Sequence, residues 1–278
     1  MKQEKVSEDI CVFTSDIYAQ VNAGAVFTPA GVIVIDTLPF PEETKQMRQA
    51  ILALSQGQRI RYVVNTHRHG DHTHGNCFFE EAEVVAHQLC REALLKWGQE
   101  SLTAAKRETP ELAEVELRIP EITFDHEMSL HLGGKVVELR HLPGHTPDLA
   151  VALVKNDKVL FAGDAVMPIP YIVWGDGGEF ITSLQAIREM PLENIVQGHG
   201  DVLLRGEIRH TIARSVAYLK IIQDRVKRVL ETGGTKADLG RIDIEECGVS
   251  PIALDGIAKR LHRDNLLWLY ESQLPPDS

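Results

Sequence analysis

Tyr62-Val63-Val64-Asn65-Thr66-His67-Arg68-His69-Gly70-Asp71-His72 decides the reading of this chain. A compact apolar run, the mark of a buried strand, leads straight into a cluster of metal-binding residue types. Side chains two apart on an extended segment point the same way, so His67 and His69 can grip one ion. Asp71 and His72 fall where the chain must turn, and they can face a second ion beside the first. Imidazole and carboxylate suit Zn²⁺, Mn²⁺ or Fe rather than a sulfur-loving ion. The rival reading is a solvated loop rich in histidine. It fits poorly, because three of the chain's 12 His fall here in one tight pattern with Asp71, and His74 follows.

Three later stretches repeat one theme. Leu142-Pro143-Gly144-His145-Thr146 lies in a Pro-Gly turn between two apolar runs. Phe161-Ala162-Gly163-Asp164 ends an apolar run with a carboxylate, and Ile195-Val196-Gln197-Gly198-His199-Gly200 ends another with a histidine between glycines. Each puts a ligand-type residue at a strand end, beside a Gly that permits a tight turn. Singly, each reads more readily as an ordinary turn; together, and in this order, they read as one site.

The surroundings alternate between strand and helix. Val12-Phe13, residues 17–26 and residues 31–35 read as strands. Pro41 and the acids after it open a helix that carries Met47, Ala50, Ile51 and Leu54 and stops at Gly57. Residues 83–86 read as a strand and 89–106 as a helix with Leu89, Ala93, Leu94 and Trp97 inward. The polar stretch 107–121, with Pro110 and Pro120, reads as a surface excursion, a lid over the site or a disordered segment. A second strand series follows at 122–124, 129–132, 136–140, 150–154 and 159–162, with hairpin turns at Gly133-Gly134 and Asn156-Asp157-Lys158. Then come a helix at 180–189, a strand at 194–196 and a long helix at 207–231. Thr232-Gly233-Gly234-Thr235 is the clearest boundary. It divides a catalytic domain, 1–232, from a C-terminal helical extension, 233–278, whose last helix is expected over 251–270. Its Leu254, Ile257, Leu261, Leu266, Leu267 and Trp268 would serve either a homodimer contact or a lid on the core. Removing 240–278 is expected to spare the metal site. Two halves of similar order predict a strand-rich interior with helices on both sides.

Composition narrows the function. The 278 residues are 44% hydrophobic and 25% charged, with net charge −11. That balance argues against a nucleic-acid or anionic-membrane partner, which would need clustered cations. Four cysteines without a C-x-x-C pair argue against a disulfide framework or a cysteine-rich zinc site. Cys77, beside Phe78 and Phe79, reads as a core thiol rather than a nucleophile. The sequence carries no apolar leader and no run long enough to span a bilayer, so the expectation is a cytoplasmic protein.

The order His67-x-His69-x-Asp71-His72, then His145, Asp164 and His199, resembles the metallo-β-lactamase-fold superfamily over about residues 10–205. The resemblance implies an α+β fold, a four-layer αββα sandwich with a short C-terminal helical extension and the site at one end of its two sheets. It implies that His67, His69 and His145 hold a first metal, that Asp71, His72 and His199 hold a second, and that Asp164 bridges them. Seven protein ligands exceed the four that one zinc usually takes. Two divalent ions, with zinc ahead of manganese and iron, can hold a hydroxide between them for attack on a small-molecule substrate. Asp71 would orient the water and move its proton.

The ligand set is that of glyoxalase-II-like thioesterases, and the general pattern is that of soluble bacterial metallo-hydrolases. The expected reaction is cleavage of an ester, thioester, lactone, amide or lactam. The rivals are a phosphodiesterase or ribonuclease of the same fold, a mononuclear iron sulfur dioxygenase, and a non-catalytic metal-binding sensor. Further candidates sit outside the ligand set. Asp36, at a strand end, would brace the histidine loop or serve as a turn acid. Tyr171 and Trp174 would wall a substrate pocket, with Tyr171 donating to an oxyanion, or simply pack. His74 would move a proton, or has no role.

Overall fold

The computed structural model describes residues 1–274; the last four residues of the expected extension lie outside them. Strands β1 (Lys2–Ser7), β2 (Ile10–Thr14), β3 (Asn22–Thr28) and β4 (Gly31–Ile35) form an antiparallel meander. Strands β5 (Ile60–Val64), β6 (Glu83–His87) and β7 (Ile122–Phe124) then add in parallel to complete a seven-stranded sheet. The second sheet has six strands in the order β13-β12-β11-β10-β9-β8. These are β8 (Glu127–Leu132), β9 (Lys135–His141), β10 (Ala150–Val154), β11 (Val159–Gly163), β12 (Asn194–Gln197) and β13 (Leu203–Leu204). Within it β8 to β11 are antiparallel, and β12 runs parallel to β11.

Period-two alternation assigns the faces. Ile33 and Ile35 of β4 point at Val137, Leu139 and Phe161 of the second sheet, whereas Val32 and Val34 point outward at Met47 and Ile51. Those two belong to α1 (Pro41–Leu54), which starts on a proline with Glu42 and Glu43 in its first turn. On the far side α5 (Gly177–Arg188) and α6 (Arg205–Glu231) cover the second sheet. The layers are therefore helix, sheet, sheet, helix, as expected. The last helix, α7 (Ala258–Glu271), lies on α6 and buries Leu261 and Leu266 in the same apolar cluster as Phe180 and Ile212. No helix among the described residues is long and apolar enough to cross a membrane.

Four details differ from the sequence expectation. The strand expected from residue 17 begins only at Asn22. Before it runs a loop in which Ile17 is 61% exposed and Ala19 and Gln20 take positive φ. Leu89 faces out at 39% exposure. Helix α3 (Gln88–Ala93) starts at the His87 cap, and a π-turn at Leu94–Gly98 precedes α4 (Gln99–Glu108), which shifts the inward register. The 107–121 excursion is packed, with Leu112 and Val115 buried and the Arg118 guanidinium donating to the carbonyls of Phe79 and Ala82. The final helix begins at Ala258, because Leu254 and Asp255 turn the chain with positive φ.

Candidate metal centre

The ligand-type residues gather because strand ends gather. Parallel strands bring their C-terminal ends to one edge, and ligands collect there. At this edge β4 delivers Asp36, β5 delivers His67 and the loop to His72, β11 delivers Asp164 and β12 delivers His199. The turn after β9 brings His145 from the same sheet. A short helix, α2 (Gly70–Thr73), then turns Asp71 and His72 back toward Asp164. Asn22 ties the two sheets here, donating to the carbonyls of Gln197 at 3.0 Å and Gly200 at 2.7 Å. Gly198 is obligatory at this place: a Cβ on it would come within 1.9 Å of Asp164 Oδ1.

All seven predicted ligands meet in two groups, His67, His69, His145 and Asp164 in one and Asp71, His72 and His199 in the other. In the first, His69 Nδ1 lies 3.0 Å from His67 Nε2 and 3.1 Å from His145 Nε2. Asp164 turns Oδ2 toward this group, 3.2 Å from His145 Nε2. It turns Oδ1 toward the second, 3.2 Å from His72 Nε2 and 3.6 Å from His199 Nε2. Asp71 Oδ2 sits 3.3 Å from His199 Nε2.

The outer nitrogens show what the inner ones are for. His145 Nδ1 donates to the Tyr171 carbonyl at 2.6 Å and His199 Nδ1 to the Ala19 carbonyl at 2.9 Å. His72 Nδ1 donates to Asp36 Oδ2 at 3.0 Å. A carbonyl only accepts, so in each neutral ring the proton sits outside and Nε2 presents a lone pair inward. His72 Nε2 and Asp164 Oδ1 are buried with no hydrogen-bond partner among the described residues. Lone pairs and carboxylate oxygens facing one another in a buried space fit a cation and little else.

The charges divide the site. Burial holds His67, His69 and His145 below the ordinary histidine range, His145 at about 4. Burial opposes charge on His72 and His199 too, but nearby carboxylates outweigh it and raise both. Burial would raise Asp71 and Asp164; their histidine neighbours prevail and hold both carboxyls below the usual range.

Beside Asp71 and His199 a cavity of about 430 Å³ opens to solvent. Its size suits a small molecule. A sequence model of the metallo-beta-lactamase superfamily matches residues 18–211, a span that contains every residue of this centre.

The chain belongs to the metallo-β-lactamase superfamily.

It is a metal-dependent hydrolase of that superfamily. It is 25% identical over 257 residues to the beta-lactamase-like protein 2 homolog of Caenorhabditis elegans, covering 87% of this chain and 81% of that protein. It is 24% identical over 200 residues to a hydroxyacylglutathione hydrolase of Methylococcus capsulatus, covering 71% and 70% of the two. A metallo-beta-lactamase family protein from Thermus thermophilus shares the fold, with TM-score 0.71 at 17% identity over 96% of this chain and 95% of that one.

The remaining candidates fall in different places. Asp36 is buried against the histidine loop, accepting from Thr66 N and Thr66 Oγ1, each at 2.7 Å, and from His72. It does so at φ +56, strain that these bonds hold in place. Tyr171 lines the cavity, but its contact with a ligand is through its carbonyl. His74 also lines the cavity and packs under Gly70, with a buried Nδ1 that has no partner among the described residues. Trp174 is 57% exposed and stands edge-on to Trp97 over Arg68, in a neighbouring depression outside the main cavity. Cys77 is half-buried, its thiol facing the His74 carbonyl.

Sequence reasoning missed Tyr18, Phe40 and Arg260, all of which line the cavity. It also missed Asn265. That residue donates to the Pro170 carbonyl at 2.8 Å and accepts from Ile172 N at 2.8 Å, clamping the residues on either side of Tyr171. Helix α7 thus reaches His145 through one peptide unit, a contact that the expectation of a dispensable 240–278 segment did not include.

Proposed function

We propose that the chain holds two divalent ions, zinc first among them, and hydrolyses an ester, thioester, lactone or amide of a small molecule. The observation that carries this reading is Asp164, whose two oxygens face two separate sets of ligand atoms. When bound, such ions activate water at neutral pH and polarise the electrophilic oxygen. His67, His69 and His145 would take the first ion and Asp71, His72 and His199 the second, with Asp164 shared. Asp71 borders the cavity and is only partly buried, so its free carboxylate edge can orient the attacking water and receive its proton. Tyr18 and Tyr171 both line the same space. The negative charge of Asp71, with burial, pushes Tyr18 up to about 12, so it remains a hydrogen-bond donor. A net charge of −11 and a small cavity favour a small molecule over a nucleic acid.

The test is metal content by mass spectrometry on protein purified without added metal or chelator, followed by a panel of ester, thioester, lactone, lactam and phosphodiester substrates. About two zinc or manganese ions per chain, with acyl-bond cleavage abolished by chelation, support the reading. One iron with oxygen uptake on thiol substrates overturns it, as does turnover of phosphodiesters alone.

A further inference from the structure

A second cavity, of about 670 Å³, lies between one face of α7 and the 3₁₀ turn Asp238–Arg241 with the residues that follow it. It shares no lining residue with the cavity beside Asp71 and His199. Its walls are largely apolar: Leu239, Ile244 and Leu266 are buried there, and Ile242 and Leu267 half-buried. Three cations line it, Lys236, Lys259 and Arg263, against one acid, Asp243. Lys236 is paired with Glu271 at 2.6 Å, whereas Lys259 and Arg263 have no carboxylate within ion-pair distance among the described residues. An apolar cavity with an excess of cations, in a chain of net charge −11, is complementary to an apolar chain that ends in an anion.

A row of hydrogen bonds joins this cavity to the metal edge. His262 lines it, and its Nε2 donates to the Ile242 carbonyl at 3.0 Å. The neutral ring therefore offers Nδ1 as an acceptor, and the Tyr218 hydroxyl donates to it at 2.9 Å. The same hydroxyl accepts from Asn265 Nδ2 at 3.0 Å. Asn265 holds the Pro170 carbonyl and Ile172 N, and the Tyr171 carbonyl between them holds His145. Ile242 and His262 stand on the two walls of the cavity, so an occupant that parts the walls strains their bond first. We propose that this cavity is a regulatory site for a small amphiphile with an apolar chain and a carboxylate or phosphate head, and that its occupancy reaches His145 through Tyr218 and Asn265. The chain lies along Leu239, Ile244 and Leu266, and the head meets Lys259 and Arg263.

The experiment measures binding of octanoate, octyl phosphate and octan-1-ol to the full chain as purified, by calorimetry. We expect at least one anion to bind about tenfold more tightly than the alcohol, the worth of one charge-assisted hydrogen bond at a partly solvated site. Whichever anion leads identifies the head group. The ratio should collapse toward one when Lys259→Met and Arg263→Met are combined, and shrink at high salt. Because the ratio is taken within each variant, a general loss of affinity does not imitate the result. Gly240 lines the cavity with nothing within 4 Å of where a Cβ would stand, so Gly240→Phe should fold and obstruct the site. Anion binding that survives Gly240→Phe belongs to the metal edge and overturns the proposal, as does equal binding of anion and alcohol in the wild type.

The link to His145 is read without turnover, by hydrogen–deuterium exchange. The amides of Ile172, which donates to Asn265, and Val173, which donates to the His145 carbonyl, report on the peptide that orients this ligand. Saturation with the leading anion should change their exchange rates by about fivefold or more. Tyr218→Phe keeps the ring and removes the hydroxyl, so it should leave the anion's affinity within about twofold and abolish the exchange response. Binding without any response in the wild type overturns the link, as does a response that persists in Tyr218→Phe. None of these readouts depends on which bond the enzyme cleaves, so a failure of the hydrolase reading stays distinct from a failure of this site.

Discussion

Asp164 stands between two unlike halves of one site. On its Oδ2 side are three imidazoles, all kept neutral by burial, with the outer nitrogen of His145 held by a backbone carbonyl. On its Oδ1 side are two imidazoles that carboxylates pull toward the charged form, together with Asp71, and with Asp36 behind His72. The first half is an uncharged, ready-made set of lone pairs. The second is a concentration of negative charge that protons occupy when no metal does. One half is held together by packing and backbone. The other shares that kind of support, the Ala19 carbonyl holding His199, but its carboxylates add charge, and pH should reach it first.

The largest expected effect comes from removing what the halves share. Asp164→Ala should lose at least one ion and cut turnover by on the order of 100-fold or more. Metal analysis beside a rate measurement checks this, and a variant that keeps both ions and full rate ends the bridging assignment. Next is Asp36→Ala, which strips the carboxylate from His72 and should weaken the second half more than the first, by about 10- to 100-fold in metal affinity, because Asp36 also holds Thr66 beside His67. A chelator titration that shows both ions weakened equally would erase the contrast. Asn265→Leu is the counterpart on the other side. By loosening the peptide that orients His145, it should weaken the first half by about tenfold, with the thermal melt reporting any wider damage. The mildest effect is that of pH. His72 and His199 carry raised pKa values in the metal-free protein, so an ion entering there must expel protons, and its affinity rises with pH. The first half, with lowered values, gains less over the same range. Equilibrium dialysis from pH 8 down to about 6 should empty the second half first. Simultaneous loss of both ions would show the halves to be one unit.

Much of this was legible in the chain because ligand spacing and strand alternation are local properties. Residues 31–35, 122–124 and 150–154 are strands with the expected limits, each an apolar run between turn residues. The seven ligands were legible for the same reason: each sits on a strand end or a turn that the sequence marks. The errors have a common cause in long-range contact. Ile17 and Tyr18 look like strand residues, but the bridge from Val21 to His199 fixes where pairing starts. Residues 107–121 look loose because their polar composition hides Leu112, Val115 and the hydrogen bonds of Arg118. Nothing near Arg260 or Asn265 in the sequence separates them from other polar residues of an amphipathic helix. Their positions come from how α7 docks.

The loop before β3 has two duties in adjacent residues. Tyr18 walls the cavity, while the Ala19 carbonyl holds His199, on a backbone bent through positive φ at Ala19 and Gln20. Any remodelling of that wall to admit a different substrate therefore disturbs a metal ligand at the same time. Arg260 carries no such second duty, because its side chain is exposed and touches no ligand. Selection for new substrates would then move more freely at position 260 than along residues 15–21, and an engineer seeking altered specificity should begin there while leaving Asn265, one turn further on, in place.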